Sequence, residues 1–186
     1  MAFNVDQFRA VMASDGARPN LFQVDLAFPA GIRAVGMAQR LTFTAHAAQL
    51  PGSTLGVARQ YYFGREVKFA GNRVFQDWAI SVINDEQFLV RNVLEAWSNA
   101  INSHETNIRR ADFVPAINGY AVDGMITQFT KDGLPSKQYE FVGMFPVSID
   151  PINVSWDSND RIEEYGVTFS YQYWNAYDMN NNKVTT

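Results

Sequence analysis

The sequence predicts a mostly β fold, an antiparallel barrel or sandwich of about eight strands with one α-helix packed against it. Three observations lead there. Apolar residues recur at alternate positions, most clearly where Tyr165, Val167, Phe169, Tyr171 and Tyr173 alternate with Gly166, Thr168, Ser170 and Gln172. Strong helical spacing occurs in one stretch only, residues 84–101, and the elements do not follow the regular βαβ order of a parallel sheet. The 186 residues are 47% apolar and 14% aromatic, enough for one real core, and neither a repeat nor a linker divides residues 1–186.

In chain order, residues 3–13 carry Val5, Phe8 and Met12 at helical spacing and predict a short amphipathic helix, ended by Ser14-Asp15-Gly16. Residues 21–28 set Phe22, Val24, Leu26 and Phe28 against Gln23 and Asp25, a strand. Further strands are expected over 39–47, 60–69 and 73–83, the last with Val74, Trp78, Ile80 and Val82 on one face. In the helix at 84–101, Asn84 suits the N-cap, Asp85 and Glu86 meet the positive end of the dipole, and Leu89, Val90, Val93, Leu94, Trp97 and Ile101 form the inward stripe. Residues 102–119 have no period and read as a long surface connection. Strands resume over 120–130, turn at Lys131-Asp132-Gly133, and continue through 138–145, 149–156 and the final strand ending at Trp174. Residues 175–186 are expected to form a polar, frayed C-terminal tail. The final strand holds no Lys or Pro between Arg161 and Trp174, so at a sheet edge it would invite another subunit.

Several function classes are disfavoured by composition. The chain has no cysteine, which removes disulfides, thiolate metal sites and thiol catalysis and agrees with a reducing compartment. The N-terminus has no basic region followed by an apolar core, so no secretory signal is expected, and Asn153-Val154-Ser155 is an idle glycosylation pattern. Residues 41–58 carry no charge, but Thr42, Thr44, His46, Gln49, Pro51 and Gly52 break the apolar run, so no membrane contact is expected. A net charge of −4 argues against a sequence-independent grip on nucleic acid. Tyr61, Tyr62 and Phe63 beside Arg65 and Lys68 could stack on bases, yet in an acidic chain they read better as core or subunit-contact aromatics.

Catalytic signals are sparse. The two histidines, His46 and His104, lie in no metal or nucleophile motif; His46 reads as structural, and His104 as a residue favoured by the C-terminal end of the helix dipole. Residues 157–160 begin like a calcium loop, but Arg161, Ile162 and Thr168 occupy positions that need an oxygen ligand, Gly and Glu, so a polar turn is expected. Glu163 and Glu164, adjacent on a strand, face opposite ways. No catalytic, metal or cofactor site is expected.

The residues 17–24 (A-R-P-N-L-F-Q-V), Leu50-Pro51-Gly52, 70–78 (A-G-N-R-V-F-Q-D-W) and 82–86 (V-I-N-D-E), then 143–146 (G-M-F-P), 155–160 (S-W-D-S-N-D) and Tyr173-Trp174 occur in an order that resembles the tail tube proteins of contractile-tailed bacteriophages. The likeness spans most of residues 17–174. It implies a barrel-like subunit that forms hexameric rings, stacked into a hollow tube inside a contractile sheath, with adjacent subunits joining their sheets. It further implies partners: the tail sheath protein, baseplate tube-initiating and tail-terminating proteins, a tape measure protein in the lumen, and DNA in transient passage. The chain would then be a virion protein made in the bacterial host's cytoplasm. Related alternatives are the inner tube of a type VI secretion system or a contractile bacteriocin-like injector; a third, a small β-barrel hydrolase or ligand-binding module, lacks a catalytic constellation. Leu50, Pro51, Leu55, Val57, Tyr61 and Tyr62 are too apolar for a solvated loop and are expected at the subunit or ring interface, the alternative being a loop folded over its own barrel. Glu164, Thr168, Ser170 and Gln172, with Gly166 between them, are expected to face the lumen.

Overall fold

A computed structural model describes residues 4–12, 16–113 and 119–185. Two antiparallel sheets share their longest strand. In the first sheet β1 (Phe22–Leu26) pairs β6 (Val122–Phe129), β6 pairs β7 (Pro135–Ile149), and β7 pairs β9 (Tyr173–Tyr177). In the second, the C-terminal part of β7 pairs β8 (Glu164–Ser170), β8 pairs β5 (Trp78–Ile83), and β5 pairs β2 (Ala45–Ala48). The strand passes from one sheet to the other at Gly143, whose φ of +66° lies in the region glycine tolerates, and whose N–H donates to Asp123 Oδ1 at 2.9 Å. A mostly β fold of antiparallel strands is therefore what forms, with nine strands and three helices among the described residues.

The core lies between the sheets because strand alternation sends one set of side chains inward. Val24 and Leu26, Ile126 and Phe141 face Trp78, Ile80 and Val82 and Tyr165, Val167 and Phe169. Helix α3 (Leu89–Ile101) adds Val90, Val93, Leu94, Trp97 and Ala100. Trp78 stacks on Phe141 with 4.4 Å between centroids, and each buried indole finds an acceptor: Trp78 Nε1–H donates to the Gln49 carbonyl at 2.6 Å, Trp97 Nε1–H to that of Tyr120 at 2.8 Å.

The structure corrects several sequence expectations. Residues 37–44 form α2 (Met37–Thr44), not a strand; only Leu41 is buried, Phe43 points to solvent, and the Thr42 and Thr44 hydroxyls, which the helix leaves outside the core, donate back to the Ala38 and Arg40 carbonyls. The strands expected over 60–69 and 73–83 redistribute into β3 (Ser53–Tyr62), β4 (Arg65–Phe75) and β5, because the chain reverses at Phe63-Gly64 and breaks before Trp78; Val74 is exposed. Helix α3 begins later than Asn84, whose side chain donates to Glu163, while Asp85 Oδ1 accepts from the Leu89 N–H at the helix start. Residues 150–163 are irregular, where a strand was expected over 149–156. The His104 backbone N–H donates to Asn99 Oδ1 at 3.0 Å, just past the C-terminal end of α3.

The C-terminus differs most. The final strand ends at Ser170; Tyr171 and Gln172 break it and β9 follows, so Tyr173 is not on the buried face. Strand β8 lies between β5 and β7, so it is not the uncovered edge the sequence suggested. Residues 175–177 belong to β9, and the Val184 N–H donates to the Ala176 carbonyl at 2.7 Å, so this segment folds back on the sheet in place of a frayed tail. Helix α1 (Val5–Val11) forms with Asn4 as its N-cap and no buried residue; Phe3, Ala13, Ser14, Asp15 and Thr186, and residues 114–118 of the long connection, lie outside the described residues.

Candidate functional site

Among the described residues, strands β3 and β4 pair only with each other. Phe63 and Gly64 between them have φ of 45° and 78°, the two positive values that a two-residue I′ hairpin turn requires. The root is held by the body: Phe75 packs against Tyr171 and Trp174, each at 6.2 Å between centroids, and the Trp174 indole donates to the Gly52 carbonyl. Midway, the register shifts between Leu55 and Val57, and a Cβ on Gly71 would lie 2.9 Å from the backbone of Gly56. The two glycines let the strands approach at this bulge.

Register and alternation assign the hairpin faces. Val57, Arg59 and Tyr61 share one with Ala70, Lys68 and Glu66; Ala58, Gln60 and Tyr62 share the other with Phe69, Val67 and Arg65. Both are open to solvent, and Phe63 at the tip is 92% exposed. Of the six residues expected at an interface, Leu50 and Pro51 stand at the root and Leu55, Val57, Tyr61 and Tyr62 on β3, so they form a projecting arm where a loop was expected. Sequence reasoning grouped Phe63 with Tyr61 and Tyr62 as core or subunit-contact aromatics but missed Val67, Phe69 and Val74 on this arm; the signal was Gly64 directly after an aromatic run.

The residues expected to face a lumen share the outer side of the second sheet. Tyr165, Val167 and Phe169 point inward, so Glu164, Thr168 and Ser170 point outward, with Gln172 exposed just beyond. Across the sheet Thr168 lies beside Ala79 and Ser148, and Gly166 beside Ser81. Strands β2, β5 and β8 contain no Lys or Arg, and neither does β7 from Gly143 onward. The charges present are mainly acidic: Asp150 sits over Gly166, and Glu164 Oε2 lies 3.3 Å from His46 Nδ1.

The outer side of the first sheet is different. Asp25, Asp123 and Glu140 line a groove of about 600 Å³ against α2, with Leu26, Met125 and Thr42, and no lining residue is Lys or Arg. Glu140 Oε2 accepts from the Tyr177 hydroxyl at 2.7 Å and from Asn175 Nδ2 at 3.1 Å, and these two bonds hold its carboxyl below the usual carboxylate range. Burial pushes the Tyr165 phenol well up, so it stays neutral. Among the described residues no group of three or more His, Asp or Glu is placed to hold a metal ion, and no helix is long and apolar enough to cross a membrane.

The chain thus combines a two-sheet β body closed by a helix, strands without Lys or Arg in the second sheet, and an arm open on both sides. The phage tail tube protein family matches residues 17–177, and the chain belongs to that family. It is thus a structural component of the virion tail. The tail tube protein gp19 of Enterobacteria phage T4 is 29% identical over 170 residues, covering 91% of this chain and 97% of that protein. The tail tube protein of Serratia phage KSP90 is 24% identical over 169 residues, covering 90% and 93%. In fold the chain is similar to a chain of the anti-feeding prophage tube-terminating cap (TM-score 0.61, 15% identity, covering 88% and 91%). It is also similar to a chain of the PVC sheath–tube complex in its extended state (TM-score 0.51, 14% identity, covering 95% and 99%).

Proposed function

We propose that this chain forms hexameric rings that stack into a hollow tube inside a contractile sheath, the conduit through which DNA leaves the virion. The β3–β4 arm carries the reading: a two-stranded ribbon open on both faces is marginal alone in water, and its apolar side chains stay wet unless another copy covers them. Leu50, Pro51, Leu55, Val57, Tyr61 and Tyr62, with Phe63 and Phe69, are the contact residues of this proposal. A head-to-tail contact of that kind closes into a ring, and a second one stacks rings.

The lumen is assigned to the outer face of the second sheet, with Glu164, Thr168, Ser170 and Gln172 along it. DNA has to slide without sticking, and the absence of Lys and Arg from β2, β5, β8 and the end of β7 suits that demand. The chain's role is structural, with no reaction catalysed. Its partners are the sheath protein, the baseplate proteins that start the tube, the terminator that ends it, and a tape measure protein within the lumen.

The fold likeness to the Hcp1 protein of E. coli EAEC 042 (TM-score 0.50, 10% identity, covering 88% and 95%) leaves a second reading, the tube of an injector. Neighbouring genes separate the two: capsid and terminase genes accompany a phage tail, membrane-complex or effector genes an injector. Deleting residues 52–56, which removes the start of β3, tests assembly. Loss of tubes with a soluble monomer remaining supports the proposal; normal tubes refute the contact assignment.

A further inference from the structure

The first sheet ends at β1 on one side and at β9 on the other. Helix α2 lies against β1, where the Thr42 hydroxyl donates to Asp25. Strand β9 pairs β7 through one edge, and Ala176 turns its backbone groups toward the other. Both groups are taken by the segment 178–185: the Ala176 N–H donates to Thr185 Oγ1 at 2.9 Å, and the Ala176 carbonyl accepts from the Val184 N–H at 2.7 Å. Beside them Tyr177 bridges Lys183. The reversal that brings the segment back is built on Asp178. Its N–H donates to the Asn182 carbonyl at 3.0 Å, and its carboxylate accepts from the Asn180 and Asn182 N–H groups at 2.9 and 2.8 Å. These bonds, that from Asn182 first, hold the Asp178 carboxyl below the usual carboxylate range.

The strand so covered is well suited to pair with further copies of itself. Residues 167–177 contain no charged residue, Pro or Gly, and 169–177 read F-S-Y-Q-Y-W-N-A-Y, an aromatic, uncharged run of the kind that stacks edge to edge. Strand β8, which opens this run, is sealed between β5 and β7, so β9 is the part that reaches a sheet edge. The covering segment has the opposite character. Residues 178–183 read D-M-N-N-N-K, too polar to template another strand, and put the exposed Lys183 at the new edge. We propose that the segment 178–185 is an edge guard: seated on the outer edge of β9, it denies that strand to other copies of the chain and confines association to the surfaces the tube uses. The guard follows from the pairing of β9 alone; its part in directing assembly rests on the tube reading.

Opening the guard in the full chain tests it. Asp178→Ala/Val184→Pro removes the carboxylate that builds the turn and the N–H that bonds Ala176. The Ala176 amide then exchanges about tenfold faster or more, while the thermal transition of the body barely moves. At a concentration where wild-type protein stays clear, the variant forms thioflavin-positive aggregates whose protease-resistant core, identified by mass spectrometry, contains residues 173–177. Thr185→Val, which removes one bond only, shifts both readouts the same way by less. Adding Tyr173→Lys to the open variant sets a charge on β9 and restores solubility. An open variant as soluble as wild type, an Ala176 amide still protected, an aggregate core that excludes 173–177, or aggregation that persists with Tyr173→Lys overturns the guard and leaves the tube reading standing. Wild-type protein that builds no tubes on a baseplate nucleator refutes the tube reading without touching the guard of β9.

Discussion

Trp97 joins three parts of the molecule through one side chain. It is wholly buried on α3, its ring centroid lies 5.9 Å from Phe28 and 6.2 Å from Phe169, and its indole N–H donates to the Tyr120 carbonyl. Trp97→Ala leaves a large cavity and an unpaired carbonyl, and should cost about 3–5 kcal/mol in urea unfolding of the monomer. Glu140 is the residue whose titration reports on the first sheet. Its carboxyl is held below the usual range by Tyr177 first and Asn175 second, so the stabilisation is fully present above the unfolded-state pKa and is lost as pH falls through the folded value. Tyr177→Phe removes the leading cause. The Glu140 titration, followed by carboxyl NMR, should move up toward the ordinary glutamate range; an unmoved titration would mean the Tyr177 bond does not set it. This residue was also the hardest to read in sequence: the buried Asn175 donates its amide to Glu140, a pairing 35 positions apart that no local pattern carries.

At the scale of the element, the hairpin depends on backbone geometry at two places. A side chain on Gly71 would press on the Gly56 backbone, which cannot move aside cheaply, so Gly71→Val should disorder the arm and stop assembly while the thermal transition of the body barely changes. Phe63 sits at φ 45°, which favours Asn; Phe63→Asn should therefore raise hydrogen-exchange protection along β3 and β4 while weakening tubes, because order improves as the aromatic tip is lost. Strands β5 and β8 were legible because burial of one face forces alternation at Trp78, Ile80 and Val82 and at Tyr165, Val167 and Phe169. Where burial is absent the same signal misleads. Leu41 and Phe43 alternate as a strand would, yet α2 buries only Leu41, and the solvent-exposed β3 and β4 had no core to enforce a pattern. The turn was hidden for a related reason, since Phe-Gly lacks the Asn or Asp that usually marks a I′ turn.

For the whole molecule, function is a matter of which surfaces meet and which face the bore. The cation-poor face of the second sheet was legible, since the polar series from Glu164 to Gln172 is written in the sequence, but its place in an assembly depends on other copies of the chain. The arm was only half legible: the apolar residues of β3 were identified, while those of β4, the arm's length and its strand pairing were not. Ser170→Arg places a cation on the outer face of β8, so intact tails carrying it should eject DNA more slowly, by a factor that shrinks as salt rises; unchanged kinetics would remove that face from the lumen. The most direct test of the central claim is electron microscopy of the purified protein at rising concentration on a bare baseplate nucleator. Hollow tubes of uniform width, built from six-membered rings with the β3–β4 arm buried between subunits, are the expected result. Monomers alone at every concentration, or an assembly that leaves the arm in solvent, would contradict it.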